Sequence, residues 1–377
     1  MPNSRVFYAI HSVAFKNNAG GGATPTNEVV AILPGVDVTP TGLVGQPIWE
    51  VARGAQSVGM TTTFNFEQVF ELGQLEIYEF IEAEPEIEVT VEKVLDGTKP
   101  LWFMATERGT TLLTDRTATY QTDVAISIYP DTQTRASGDP ISMVLGSGMF
   151  ISSVSYTFPV DGNFTESITL VGNDKIWADY EGVTGSADTL PAEGAGDAST
   201  PVGFPGGTQF QTLEDAQVIG SGVQRRESFR KSLSRLPTQI PGVSSSGTID
   251  AIVEHLQTIT ISTDLGREDI FELGSKRPFT KFVTFPIEVT TAIEVVTSQG
   301  DFVDAIAFDD ENCERTTNTI NEEIIVELCE GLRIDLGTTN RLQSVDMAGG
   351  EAGGGNMTIT YNYSNFNDLT ITHSTFT

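Results

Sequence analysis

The stretch QSVGMTTTFNFEQVFELG, Gln56–Gly73, returns as QTITISTDLGREDIFELG, Gln257–Gly274, at a constant offset of 201. Seven of the eighteen positions are identical, four of them the closing Phe-Glu-Leu-Gly. Substitutions elsewhere keep their character, as with Val58 against Ile259 and Met60 against Ile261. Upstream, Leu33-Pro34-Gly35-Val36 matches Ile240-Pro241-Gly242-Val243, and Ile48 matches Ile249. Downstream, Ile87-Glu88-Val89-Thr90 matches Ile287-Glu288-Val289-Thr290 at an offset of 200, and Ser152–Leu170 has a looser echo in Gln343–Tyr361. The order of the matches is kept throughout. The chain therefore reads as two copies of one unit of ordinary domain size, not as a solenoid of short repeats. The expected units are residues 1–178 and 215–377. Residues 179–214, rich in Gly, Ala, Ser, Thr and Pro, read as a linker or surface excursion.

Both copies alternate with period two. Val58, Met60, Thr62, Phe64 and Phe66 share one side of an extended chain, as do Ile259, Ile261 and Leu265. Ile87, Val89 and Val91 alternate with Glu86, Glu88, Thr90 and Glu92; Ile287, Val289, Ile293 and Val295 alternate with Glu288, Thr290 and Glu294. Such strands pack one face on a core and turn the other to water or to a lumen. Glu86, Glu88, Glu92, Glu288 and Glu294 are thus candidates for a polar face, either a lumen or an outer wall. Val124, Ile126 and Ile128 make a further strand, closed by Tyr129-Pro130-Asp131.

Leu72, Leu75, Tyr78 and Ile81 recur every three residues, a spacing that predicts a short helix packing one apolar stripe. Gly73 weakens it by about 1 kcal/mol. In the second copy Pro278 makes any such helix shorter. The expected fold is mainly β with a few short helices: two tandem antiparallel β-sandwich or half-barrel domains, each with one packed helix.

The 377 residues carry 51 acidic and 21 basic side chains, a formal charge of −30. That balance excludes a grip on nucleic acid, which needs Lys and Arg to displace counterions, and docking on anionic membrane. A surface that repels phosphate suits a conduit along which DNA slides without sticking. One segment departs from the trend. QRRESFRKSLSR holds Arg225, Arg226, Arg230, Lys231 and Arg235, a basic patch suited to an acidic face of a neighbouring subunit or to solvent. No run of eighteen apolar residues predicts a membrane span, and the start lacks a signal-peptide pattern. Cys313 and Cys329 are too few for a disulfide framework and are expected reduced.

Motifs of catalysis do not assemble. There is no nucleophile elbow, phosphate loop, zincin helix or dinucleotide fingerprint. His11, His255 and His373 are scattered, and Asp309-Asp310-Glu311-Asn312 with Glu314 lacks calcium-loop spacing. Glu86 and Glu88 lie two apart on a strand, which serves a glycosidase only beside a sugar cleft. Asn163 and Asn356 each open a glycosylation triplet, a pattern common by chance. No enzymatic activity, metal or cofactor is expected.

FELGQLEIYEFIEAEPEIEVTVEKVLDGTKPL, Phe70–Leu101, followed by FISSVSYTFPVDGNFTESITLVGNDKIW, Phe150–Trp177, resembles bacteriophage tail tube (major tail) proteins. Pro85, Glu88, Thr90, Glu92, Leu95 and Gly97 fit that family's strand after the short helix. Asp161-Gly162-Asn163 falls at its strand-pair turn, and Phe164–Leu170 with Asn173 continues its next strand. The second copy departs at Pro278 and in the glycine-rich Ala348–Gly355. The resemblance implies two tandem tube domains in a structural virion protein, built into stacked rings that form a hollow tube for DNA delivery. Single-domain tube proteins form six-fold rings, so a two-domain chain completes a pseudo-six-fold ring with three subunits. Implied partners are further copies of itself, a tape measure protein, baseplate and tail terminator, and a sheath if the tail contracts. DNA would pass through the lumen unbound, in a tail assembled in the host cytoplasm. A baseplate hub or distal tail protein with duplicated tube domains is the alternative within this class. A secreted carbohydrate-binding β-protein is the alternative outside it.

Overall fold

The computed structural model describes residues 11–18, 49–73, 75, 77–106, 121–129, 142–179, 220–244, 246–249, 255–275, 278, 280–296, 300, 303, 308–309, 314–315, 321–349 and 356–375. Of the expected linker, residues 179–214, all but Asp179 lie outside them. Antiparallel strands dominate, as the alternation predicts. One sheet joins β1 (His11–Asn18), β2 (Trp49–Val51), β7 (Gln121–Ile128), the first half of β8 (Ser142–Pro159) and β10 (Asp174–Asp179). The main sheet runs β3 (Ala55–Thr63), β6 (Glu86–Val94), β9 (Thr165–Gly172), β8, β11 (His255–Asp264), β14 (Glu288–Val296), β20 (Thr358–Phe366) and β19 (Arg341–Ala348). Smaller sheets are β17 (Ile325–Glu327) with β18 (Leu332–Asp335) and β21 (Thr370–His373), and β15 (Phe308–Asp309) with β16 (Glu314–Arg315).

The 18-residue β8 serves both large sheets. Its first half pairs with β7 and β10, its second with β9 and β11, so one strand turns the corner between sheets. Met149 is fully buried at that corner, and a Cβ on Gly172 would lie 2.4 Å from its Sδ. A larger residue at Gly172 would have to displace that buried sulfur.

Chain order repeats along the main sheet. The sequence β3-β6-β9-β8 is followed by β11-β14-β20-β19, and β8 pairs antiparallel with β11 at the joint. Register irregularities recur in both halves. Gln56 interrupts β3–β6 and Gln257 interrupts β11–β14; Ser152 interrupts β8–β9 and Gln343 interrupts β19–β20. The ladders place Glu86 where the second half has Glu288, an offset of 202 rather than the 200 read from the sequence. A slip of two leaves every side chain on its own face, so a short alternating motif does not reveal it.

The two halves are not separate bodies. A single apolar core includes Val89, Tyr156 and Ile168 from one half and Ile261, Ile293 and Tyr361 from the other. Residues 220–249 bind both. Gln224 N–H donates to Leu95 O at 2.7 Å, whereas Arg230 and Arg235 N–H donate to Glu327 and Ile325 O at 2.9 and 2.8 Å.

The helix predicted over Leu72–Ile81 is instead an antiparallel hairpin of β4 (Phe66–Phe70) and β5 (Ile77–Glu82). Leu72 and Leu75 are fully exposed and Tyr78 and Ile81 largely so; nothing packs the expected stripe. A spacing of three fits a helix, but Phe66, Val69, Phe70, Phe80 and Ile81 favour extended chain, and Gly73 supplies φ +90° at the turn. The second copy forms a matching hairpin of β12 (Arg267–Ile270) and β13 (Thr280–Val283), with Gly274 at φ +93°. Among the described residues the α-helix is α1 (Leu101–Ala105), wholly buried behind Pro100. Its first amides, Leu101 and Trp102 N–H, donate to the distant Glu166 carboxylate at 2.6 and 3.0 Å.

Candidate assembly surfaces

Among the described residues, β3 and β19 are the edges of the main sheet, each paired on one side only. They correspond to β11 and β8, which pair with each other at the internal joint. At that joint Ile259, Ile261, Val154 and Tyr156 are all buried. Their counterparts on the edges, Val58, Met60 and Val345, are only half-buried, and Met347 is 56% exposed. Backbone donors and acceptors along such edges are templates for another strand.

The main sheet has one apolar and one polar face. Across the polar face the register lines up Thr61, Glu88, Val171; then Ser153 and Asp264; then Ser262, Thr290, Ser364. Glu86, Glu88, Glu92, Glu288 and Glu294 all project there, the first, second and fourth exposed. Glu92 accepts from Ser57 Oγ at 3.3 Å and Glu288 from Gln343 Nε2 at 3.1 Å. The structure therefore unites all five predicted acidic residues on one surface. Helix α1 packs on the opposite, apolar side with the core residues Val89 and Ile168.

The two ends of this sheet differ. Both hairpins leave from the end where β3 and β11 finish and β6 and β14 begin. Phe70, Leu72, Leu75, Phe271 and Leu273 are exposed on them, by 58–105%. At the opposite end, where β8 turns into β9, an open cleft of ≈ 380 Å³ is lined by Phe158, Phe164, Phe229, Leu256 and Ile259 with Arg226 and Lys231.

The predicted basic patch divides there. Arg230 pairs with Glu327 at 3.2 Å and Arg235 with Glu323 at 3.3 Å, so both are used within the chain. Arg225 donates to Asn163 at 3.0 Å, and exposed Arg226 lies 4.0 Å from Asp161. Lys231 is exposed at the cleft, with no ion-pair partner among the described residues.

A buried polar cluster behind the sheet escaped the sequence reading. Lys93 is fully buried; its ammonium donates to Thr98 Oγ1 and Lys99 O, each at 2.6 Å, and pairs with Asp96 at 3.6 Å. Burial lowers its pKa, which Asp96, Glu166 and Glu330 oppose. Burial raises the Glu166 pKa against the hydrogen bonds of Tyr156, Trp102 and Leu101. Burial pushes Glu330 up to about 7, and His373, 3% exposed, is pushed down to about 4 by burial and by Lys93. Lys93 and Glu166 stand at inward positions of their strands, in line with Val91 and Ile168, and that break in each strand's period was the available signal.

Of the other residues singled out in the sequence, His255 is exposed on β11 and Cys329 is exposed in the β17–β18 turn. Asp309 and Glu314 lie on β15 and β16, whereas Asp310–Asn312 and Cys313 lie outside the described residues.

No family model matches the chain, and no curated protein does. Among solved structures, a chain of the anti-feeding prophage (AFP) baseplate is similar at 13% identity and TM-score 0.31, over 47% of this chain and 97% of its own. A chain of the sheath–tube complex of an extracellular contractile injection system, PVC, in the extended state is similar at 12% identity and TM-score 0.29, over 47% and 94%. A chain of the AFP tube-terminating cap is similar at 11% identity and TM-score 0.28, over 46% and 91%.

Proposed function

We propose that this chain is a structural subunit of a phage-type tail tube, three copies closing into a ring of six repeats that stacks into a hollow conduit. One observation carries the reading: the strand order and its two bulges recur, and the sheet ends in two edges equivalent to the strands that mate inside the chain. Each edge then finds in another copy the kind of partner that its counterpart has within the chain. Closure removes both edges. Eight main-sheet strands in each of three chains give a barrel of twenty-four. The number three comes from the six-fold rings implied by the sequence resemblance.

The apolar side of the sheet carries α1 and forms the wall; the bare acidic face lines the lumen. Carboxylates there repel phosphate and let DNA slide. Apolar hairpins at one end and an apolar cleft with Arg226 and Lys231 at the other suit head-to-tail stacking, which builds an open filament.

Negative-stain microscopy of the purified chain tests this reading. Hollow rods of uniform diameter, with three-fold averaged rings, are expected. Discrete single rings would instead favour a hub, and monomers at every concentration would overturn the proposal.

A further inference from the structure

We infer that a second copy of this chain docks edge to edge by a cation–π contact between Phe66 of one copy and Arg341 of the next. It is the internal Arg267–Phe150 pair with ring and cation exchanged. This deepens the ring reading above and rests on it.

The internal joint supplies the template. Arg267, the first residue of β12, reaches across from the β11 side to β8. Its guanidinium lies 5.1 Å from the Phe150 ring centroid, and its Nε donates to Ile151 O at 2.8 Å. Phe150 is 4% exposed as a result of this cover and its neighbours.

The ladders identify the equivalent residues without recourse to sequence likeness. Arg267 opens its hairpin opposite Val283, as Phe66 opens the other opposite Glu82. Phe150 sits opposite Val171 just before the β8 bulge, as Arg341 sits opposite Ser364 just before the β19 bulge. Applying the internal pairing to the two free edges therefore places Phe66 against Arg341. The site keeps one ring and one cation, but each has changed strand.

In the single chain both groups wait in solvent. Phe66 is 57% exposed, and Arg341 is exposed, its Nε donating to Asn321 Oδ1 at 3.0 Å. The same mapping sets Met60 beside Met347, covering two half-open apolar side chains as Ile261 and Tyr156 are covered inside. An arginine stacked on a ring within about 6 Å is a favourable pair that strengthens as water is excluded.

The test is a partner swap, with ring formation followed by mass photometry over a dilution series. F66R sets two cations face to face and is expected to raise the concentration needed for assembly by about tenfold, whereas R341F sets two rings, a pair that itself attracts, and its loss is expected to be smaller. The double variant F66R/R341F restores one of each and is expected to return within about threefold of the unmodified chain. Both positions are exposed, so circular dichroism and melting of the dissociated chains should be unchanged. Wild-type-like assembly of F66R, or a double variant no better than F66R, overturns the inference while leaving the tube reading intact. Failure of the unmodified chain to form rings at all overturns both.

Discussion

Tyr156 donates its phenolic proton to Glu166 Oε1 at 2.7 Å, with both side chains sealed from water. The same carboxylate accepts from the first two amides of α1. Glu166 thus joins β9, β8 and the helix through three donors, and Lys93 lies close enough to influence its charge.

Glu166→Gln leaves one oxygen for three donors and strands a buried NH2 group. Stability should fall by about 3 kcal/mol, whereas Tyr156→Phe, which removes one donor, should cost about 1–2 kcal/mol. Urea unfolding of both variants, with the m-value held constant, measures this; equal small losses would show that the helix does not depend on Glu166.

Glu330 and His373 give opposing pH dependences. The folded pKa of Glu330, about 7, lies above the ordinary value of 4.5, so the folded state holds the extra proton. Its contribution is present below pH 4.5 and is lost as pH rises through about 7. The folded pKa of His373, about 4, lies below 6.5, so its contribution is present above pH 6.5 and is lost as pH falls through about 4. Glu330→Gln should therefore unmask a melting temperature that rises from pH 4 to 6.5, a slope that the unmodified chain partly cancels. Thermal melts across that range check it.

Under the ring proposal, the joint also sets a register between copies. Ser262 lies opposite Ser155 inside the chain, and their edge counterparts are Thr61 and Asp346. Directly opposed residues in an antiparallel pair have Cα separations of about 4.5–5.5 Å, within disulfide reach. Thr61→Cys with Asp346→Cys, in a chain carrying Cys313→Ser and Cys329→Ser, should oxidise to ladders ending at three chains on non-reducing gels. Ladders that continue without limit would show open strands rather than rings.

Leu72 and Leu273, at the tips of the two hairpins, are each exposed by more than 100% of the reference area. Large apolar side chains held out in this way mark a contact surface. Leu72→Glu with Leu273→Glu should leave rings intact and abolish rods by microscopy. Rods of normal length would remove the hairpins from stacking.

Period-two patterning made the β fold legible, because Ile87, Val89 and Val91 face a core while Glu86, Glu88 and Glu92 face away, as their alternation says. The β8–β9 turn at Asp161-Gly162-Asn163 lies where the family resemblance implied it. The hairpins were not, because Leu72, Leu75, Tyr78 and Ile81 fit helical spacing and no local signal says that nothing covers them. Helix α1 was missed since its cap, Glu166, is 65 residues from Leu101 in the chain. The edges were foreseeable only as a general hazard; which strands form them depends on the β8–β11 pairing, a long-range choice that composition does not encode.

Having β8 mate with β11 within one polypeptide has a kinetic and evolutionary consequence. In a three-chain ring every second seam is covalently supplied, so encounter entropy is lost at three contacts instead of six. The two kinds of seam are also free to diverge, since a change at one no longer alters the other.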